Sequence, residues 1–392
     1  MNSTLDQARA HFFAGIEHFE ARRLQEACKA FEASLALAPD RPSVAGNLGI
    51  TFFHLGEPAK SISLLEQAVA SDPEYIEAWT CLALSQQSLG RLSEALSTLE
   101  KAEAHLPQNA QISFIKGRCL MQLAMTAFDQ ALLINPNLAD AWSAKGSLLR
   151  EIHQSAQAAE CFRKAIELGA DAELHEYYLA SVHSAAVIPE EPPRKYVESL
   201  FDEYAPEFQK HVTGSLRYEG YHRLLKPLRK ADCRFIRGLD LGCGTGLCGP
   251  LIHSITQEVD GIDISRSMLD QARQLGIYRR LIHQDIGEYL QTTEETADLI
   301  VAADVFIYMG KLDTIFQCVR RLMISNGCFA FTVEESENGQ DIQLLSSLRY
   351  AHSEHYIRRL AYANNFHIDQ IFRAPIRHEQ AKPVQGMYVY LS

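Results

Sequence analysis

The stretch Arg237-Gly-Leu-Asp-Leu-Gly-Cys-Gly-Thr-Gly246 constrains the fold of this chain more than any other. An apolar run from Phe235 to Leu241 breaks off into glycines, with Asp240 just before them. A buried parallel strand reads this way where it ends beneath a ligand. Glycines there remove side chains so that backbone can approach the ligand. Leu247 to Ile252 then reads as the opening of a helix, whose first N–H groups favour an anionic group. A second strand, Glu258 to Ile264, carries Asp263 near its end, where a carboxylate can accept from both hydroxyls of a ribose. These features predict a doubly wound sheet that binds a nucleoside.

The glycine spacing fits two kinds of nucleoside site. Gly244-Thr-Gly246-Leu-Cys-Gly249 matches the dinucleotide fingerprint G-x-G-x-x-G, so a nicotinamide oxidoreductase is one reading. Gly242-Cys-Gly244-Thr-Gly246 matches G-x-G-x-G, and Asp240 lies two residues before it. A carboxylate so close to a pyrophosphate repels it and suits a cation better. Gly238 to Gly246 resembles motif I of the class I methyltransferases, which use the cationic cofactor S-adenosylmethionine. Gly261-Ile-Asp-Ile-Ser265 with Met268, His283-Gln-Asp-Ile286, and Asp298 to Tyr308 resemble the later motifs in order. The resemblance implies that Gly242, Cys243, Gly244 and Gly246, with Asp240, form the cofactor loop. It implies that Asp263 holds the ribose, Ile264 and Met268 pack on the adenine, Asp285 accepts from its amino group and Ile286 touches the ring. Asp304 and Tyr308 would face the methyl group.

The first half of the chain is repetitive. Pro39, Pro73 and Pro107 recur every 34 residues, the period of the tetratricopeptide repeat (TPR), a helix–turn–helix unit. Gly15, Gly49, Ala83, Gly117 and Gly146 take the small position of each first helix. Phe31, Leu65, Leu99, Phe128 and Phe162 are the large apolar residues of the second helices. Ala27, Ser61, Ala95 and Ala158 are the small ones. The fourth unit is five residues short, because Pro136 follows Pro107 by 29. Its two helices either fuse or meet in a distorted turn. Five units over about 8–170, capped by a helix from Ala172 to Val182, give an all-α TPR solenoid over residues 1–182. Its concave groove is expected to take a protein or peptide, while a rigid spacer or dimerisation face is the plainer alternative.

Residues 183–194 read as a proline-rich linker, extended and fairly stiff. Residues 195–392 then form the Rossmann-like, seven-stranded class I methyltransferase domain. Tyr196 to Phe208 resembles the helix that covers the cofactor pocket in many small-molecule methyltransferases. On it Tyr204 is a candidate cofactor contact, with Phe201 and Phe208 read as packing residues. Later strands are expected at Gly327 to Glu334, Phe366 to Pro375 and Pro383 to Leu391. The last two should pair antiparallel through a turn from Arg377 to Lys382, and the last strand should lie between its two predecessors.

Candidates for catalysis are Asp304, Tyr308 and His352, the last as a base because imidazole titrates near neutrality. Asp304 also reads as a plain turn residue, and His352 as a structural one. Ser353 reads as an N-cap, and Arg349 and Tyr350 as groups able to hold an acidic or aromatic acceptor. The loop Ala303 to Tyr308 lacks the Asn/Asp-Pro-Pro-Tyr/Phe pattern of enzymes that methylate the exocyclic amines of bases or glutamine side chains.

Apolar content of 47% and a net charge of −12 suit a globular chain and give no basic footprint for nucleic acid. Nine dispersed cysteines without Cys-x-x-Cys disfavour a disulfide framework or zinc ribbon, and no metal site is expected. With no evident signal peptide or membrane span, the expected compartment is the cytoplasm. Through Leu200 to Ala205, motif I and Arg349 to Ser353, the whole chain resembles bacterial methyltransferases carrying N-terminal TPRs. Three functions are open to such a chain: an active methyltransferase whose array recruits a protein, an adaptor with an inert sheet domain, and a nicotinamide oxidoreductase.

Overall fold

The computed structural model describes residues 2–183, 187–213, 218–230, 234–336, 339–379 and 382–392. The chain forms two compact units, residues 1–136 and 137–392. The first holds antiparallel helix pairs: α1 (Asn2–Glu20) with α2 (Leu24–Leu37), α3 (Pro42–His54) with α4 (Pro58–Ser71), and α5 (Ile76–Ser88) with α6 (Leu92–His105). Pro42 and Pro58 open their helices at the first turn, where no N–H is needed. Gly56 and Gly90 end α3 and α5 with φ of +77° and +76°, a conformation that glycine adopts without strain. The small positions act as expected. A Cβ on Gly15 would stand 2.5 Å from the Phe31 ring, and one on Gly49 would stand 2.8 Å from Leu65. Ser61, at a position held by alanine in other units, donates to Pro58 O and shares a hydrogen bond with the Ser85 hydroxyl.

The short fourth unit resolves into fusion. A single helix, α7 (Ala110–Ile134), capped by Asn109, replaces the expected pair. Gly117 therefore has no second helix against it, and a Cβ there would meet nothing within 4 Å.

The second unit begins with α8 (Ala139–Glu151), α9 (Ser155–Glu167) and α10 (Ala172–Val182), so the compact boundary falls after Pro136 rather than at residue 182. The physical reason lies in α10. Tyr177 is fully buried, and its hydroxyl donates to Leu348 O at 2.7 Å beside the rings of Tyr196 and Tyr350. The proline-rich segment is no free linker either. Glu190 O accepts from Gly310 N and Lys311 N at 2.9 and 3.0 Å, and Pro189 O accepts from Tyr350 Oη. Residues 184–186 of that segment lie outside the described residues.

Two helices, α11 (Arg194–Thr213) and α12 (Gly220–Lys230), precede the sheet. There follow β1 (Phe235–Leu241), α13 (Gly249–His253), β2 (Thr256–Asp263), α14 (Arg266–Arg273), β3 (Arg280–His283), α15 (Ile286–Thr292) and β4 (Ala297–Ala302). A 3₁₀ turn at Phe306–Tyr308 leads to α16 (Asp313–Leu322) and β5 (Met323–Glu335). The chain then forms β6 (Ile342–Leu344), β7 (Tyr350–His352), α17 (Glu354–Ala363), β8 (Ile368–Glu379) and β9 (Lys382–Leu391). Strands β3, β2, β1, β4 and β5 are parallel in that order, and β9 runs antiparallel between β5 and β8. This is the doubly wound class I order, with the last strand inserted as expected. Alternate residues of β4 feed opposite layers: Ile300 and Ala302 pack with Phe316 and Ile357, while Leu299 and Val301 pack with Leu224 and Ile252.

Three sequence expectations change. Among the described residues the sheet holds the seven expected strands and two more, because the β6–β7 hairpin joins β5 beyond the end of β4. The strand expected to stop at Pro375 continues to Glu379, so Arg377 lies in β8, not in a turn; residues 380–381 lie outside the described ones. The helix after the glycines begins at Gly249 and spans five residues. Among the described residues no helix is long and apolar enough to cross a membrane.

Candidate active site

The carboxyl ends of β1, β2 and β4 open into a cavity of about 900 Å³. Gly242 and Gly244 of the glycine turn line its floor. Gly242, Gly244 and Gly246 have φ of +66°, +53° and +88°. Gly242 is required twice over, since a Cβ there would also lie 2.5 Å from Val305 Cγ2. Asp263 sits beside the turn with its carboxylate fixed. Oδ2 accepts from Gly244 N and Oδ1 from Ser265 N, both at 2.8 Å. Burial raises its pKa, and the two backbone N–H groups work against that rise. One lone pair on each oxygen remains for a ligand's hydroxyls. Thr245 Oγ1 is buried at the same wall without a partner among the described residues, a polar atom that a bound ligand can satisfy.

Ile264, Met268, Asp285 and Ile286 line one side, as do Cys243 and Gly244. Asp285 also caps α15 through Glu288 N at 3.0 Å. Asp304 and Tyr308 line the other side with Tyr204. Asp304 is a non-glycine residue at φ +60°, held by its N–H to Thr332 Oγ1 and by an ion pair with Arg377 at 2.6 Å. Arg377 is 3% exposed and also grips Glu334 and Glu379. Burial opposes its charge, but Asp304 and Glu334 outweigh burial and raise its pKa further.

Three expected site residues lie elsewhere. Asp240 does not line the cavity; its Oδ2 accepts from Tyr278 Oη at 2.7 Å, and burial pushes its pKa up to about 7. Gly246 is a packing residue, where a Cβ would stand 2.6 Å from Leu275 Cδ1. His352 is fully buried on β7, donates from Nε2 to Gly310 O at 2.8 Å, and stacks on Tyr356. Burial lowers its pKa to about 4. Away from the cavity it has no substrate to deprotonate, so the base assignment is withdrawn.

Sequence reasoning missed what holds the roof. Asp202 of α11 accepts from Ser265 Oγ at 2.6 Å and Ser267 N at 3.2 Å, and the serine hydroxyl lowers its pKa. These bonds tie α11 to the β2–α14 loop. Along α11, Val197, Phe201, Tyr204 and Phe208 face the cavity, so Phe201 and Phe208 are lining residues, with Phe201 edge-on to Tyr308. Glu190, Glu191 and Pro192 complete the wall. Neither the tie nor the wall has a local signal in the sequence, since Asp202 meets Ser265 across 63 residues of chain.

A doubly wound sheet with an acid at the tip of β2 beside a glycine turn has the architecture of a Rossmann-like class I domain. Residues 239–327 match the family model for a methyltransferase domain, and residues 18–85, 82–141 and 139–170 match tetratricopeptide repeat models. The chain thus joins a TPR region to a methyltransferase domain of the S-adenosylmethionine-dependent class, and the nicotinamide reading falls. It is similar to a malonyl-[acyl-carrier protein] O-methyltransferase of Legionella pneumophila, 28% identical over 169 residues, 41% of this chain and 58% of that one. It is similar also to superkiller protein 3 of Schizosaccharomyces pombe, 27% identical over 44% of this chain and 14% of that one. The matches therefore span less than two thirds of these relatives' own lengths. Among solved structures it is similar to the magnesium protoporphyrin IX methyltransferase from Synechocystis with bound S-adenosylhomocysteine. That match has 16% identity and a TM-score of 0.41, covering 50% of this chain and 98% of that one.

Proposed function

We propose that the protein binds S-adenosylmethionine in this cavity and methylates an acceptor brought to it, with the TPR region gripping the protein that is, or carries, the acceptor. The observation that carries the reading is the Asp263 carboxylate, fixed by two backbone amides beside a left-handed glycine turn. The cavity's charge supports it, since nine carboxylates and four cationic side chains line it. That excess suits a cationic cofactor and repels a polyphosphate.

In this reading Asp263 takes the ribose hydroxyls. Ile264, Met268 and Ile286 flank the adenine, and Asp285 accepts from its amino group. Thr245 offers its spare hydroxyl. When bound, the cofactor supplies an activated methyl group. The protein's share is to hold the acceptor in line and keep water out, which contributes roughly 7–11 kcal/mol in favourable cases. Helix α11 closes the roof, while Asp304 and Tyr308 border the acceptor. Asp304 is the carboxylate placed to take a proton from an acceptor that must lose one. The relative named as a malonyl-[acyl-carrier protein] O-methyltransferase acts, by that name, on a protein-borne group, a kind of acceptor that suits an attached protein-binding array.

The test is transfer of tritiated methyl from S-adenosylmethionine to a cell extract by the full chain. One labelled species, lost with Asp263→Ala, supports the proposal. Cofactor binding without any labelled species points to the adaptor.

A further inference from the structure

Around Asp304 the cavity wall has no cation to spare for an acidic acceptor. Among the described residues, each of the four cationic side chains on the wall already pairs with a carboxylate. Arg194 pairs with Glu288, Lys311 with Glu190, Arg349 with Glu379, and Arg377 with Asp304, Glu334 and Glu379. Tyr350, the other group expected to hold an acidic or aromatic acceptor, is fully buried and donates to Pro189 O. The cluster around Arg377 sets three carboxylates against two guanidinium groups, with Arg377 and Glu334 buried. An unmatched charge so poorly hydrated is offset by a bound cation. The wall as a whole carries nine carboxylates against four cationic side chains. S-adenosylmethionine brings only one net positive charge to it.

Aromatic rings line the same end. The ring centres of Phe201 and Tyr308 are 5.1 Å apart and those of Tyr204 and Phe208 5.4 Å apart, each pair edge to face, and all four line the cavity. Tyr218 lines it too, near enough to Asp304 for that carboxylate to add to burial in raising the phenol's pKa. Rings beside a carboxylate hold an alkylammonium by cation–π attraction and by charge. Asp304 keeps an oxygen for it: Oδ1 accepts from Arg377 at 2.6 Å, and Oδ2 has no partner among the described residues. At about 900 Å³ the cavity is near the top of the roughly 300–1,000 Å³ range of small-molecule sites, which leaves room beside a cofactor.

We infer, on the reading of this cavity as the S-adenosylmethionine site, that the acceptor is an aliphatic amine, held as its ammonium by Asp304 and the rings of Phe201, Tyr218 and Tyr308. Asp304 Oδ2 takes one proton from the bound ammonium and passes it to solvent. The freed nitrogen lone pair forms a bond to the methyl carbon as the carbon–sulfur bond breaks, and the electron pair of that bond stays on sulfur. The product leaves as the methylated ammonium. An aliphatic nitrogen is nucleophilic once deprotonated, in keeping with a loop, Ala303 to Tyr308, that lacks the pattern used for conjugated amines.

Two measurements test this. Tritium transferred to a cell extract by the full chain should withstand alkali and acid hydrolysis and be retained on a cation exchanger as a methylated amine. A methyl ester would instead release tritiated methanol in alkali. Precipitation with trichloroacetic acid tells a protein-borne amine from a small one. Separately, calorimetry of the chain saturated with S-adenosylhomocysteine should show tetramethylammonium binding at about millimolar concentration, and no binding of acetate. Asp304→Asn should weaken tetramethylammonium binding about fivefold or more, and by more than it weakens S-adenosylhomocysteine binding. Asparagine accepts the left-handed backbone at this position, and Arg377 keeps Glu334 and Glu379, so the variant should fold. Alkali-labile or uncharged label overturns the inference and leaves the cofactor reading standing. So does an S-adenosylhomocysteine complex that ignores tetramethylammonium, prefers acetate, or binds tetramethylammonium equally well as Asp304→Asn. Failure of S-adenosylhomocysteine itself to bind overturns the cofactor reading, and the amine with it.

Discussion

Asp263 organises the turn and presents acceptors to a ligand with one carboxylate. Replacing it with alanine removes ligand hydrogen bonds and frees the Gly244 amide. Hydrogen bonds to charged groups contribute about 1.5–3 kcal/mol, so Asp263→Ala should weaken S-adenosylhomocysteine binding roughly ten- to hundredfold by calorimetry. Asp240 gives a prediction with a sign. Its pKa in the fold is about 7, against about 3.9 for an unfolded chain. Between these values the folded state holds a proton that the unfolded state has released, so this group's contribution to stability rises as pH falls. Asp240→Asn lacks the term. Its thermal stability relative to wild type should be greatest near pH 8 and decline towards about pH 5, and a difference independent of pH would contradict the burial of an ionisable group there. The residues legible in the sequence were those whose job is local: the glycines of the turn, Asp263 on its strand tip, and Asp285 before its helix. Arg377 was not legible, because it meets Asp304 across 73 residues of chain through strand pairing. His352 misled because its residue type suits a base, and only tertiary burial removes it from the cavity.

At the scale of elements, hydrogen bonds from single side chains and carbonyls hold the roof and the wall. Asp202 joins α11 to Ser265 and Ser267. Asp202→Ala should leave the sheet intact, speed hydrogen exchange in α11, and weaken cofactor affinity through a looser roof; unchanged exchange would contradict the tie. Gly310 lies under the proline-rich segment, where a Cβ would stand 2.6 Å from Glu190 O. Gly310→Ala should destabilise the second unit by about 1–3 kcal/mol in urea unfolding, because the backbone at Glu190 must shift. The parallel strands were legible as apolar runs ending in acids or glycine. The β6–β7 hairpin was not, since three-residue strands carry too little periodicity to read. The proline-rich segment reads as a linker from composition, and only its carbonyls, which composition does not report, stitch it to Gly310 and Tyr350.

At the scale of the whole molecule, a periodic helical region precedes a doubly wound domain, and both were legible because each rests on a repeated local pattern. Where the compact units divide was not legible. The division follows from α10 burying Tyr177 in the second unit, a contact between residues 171 positions apart. The central claim is that the cavity is a site for a sulfonium nucleoside. Calorimetric titration of the full chain with S-adenosylhomocysteine, and in parallel with NAD, tests it most directly. A saturable single-site isotherm is expected for the first, abolished or strongly weakened in Asp263→Ala, and no heat of binding for the second. An absence of binding for S-adenosylhomocysteine, or binding indifferent to Asp263, would contradict it.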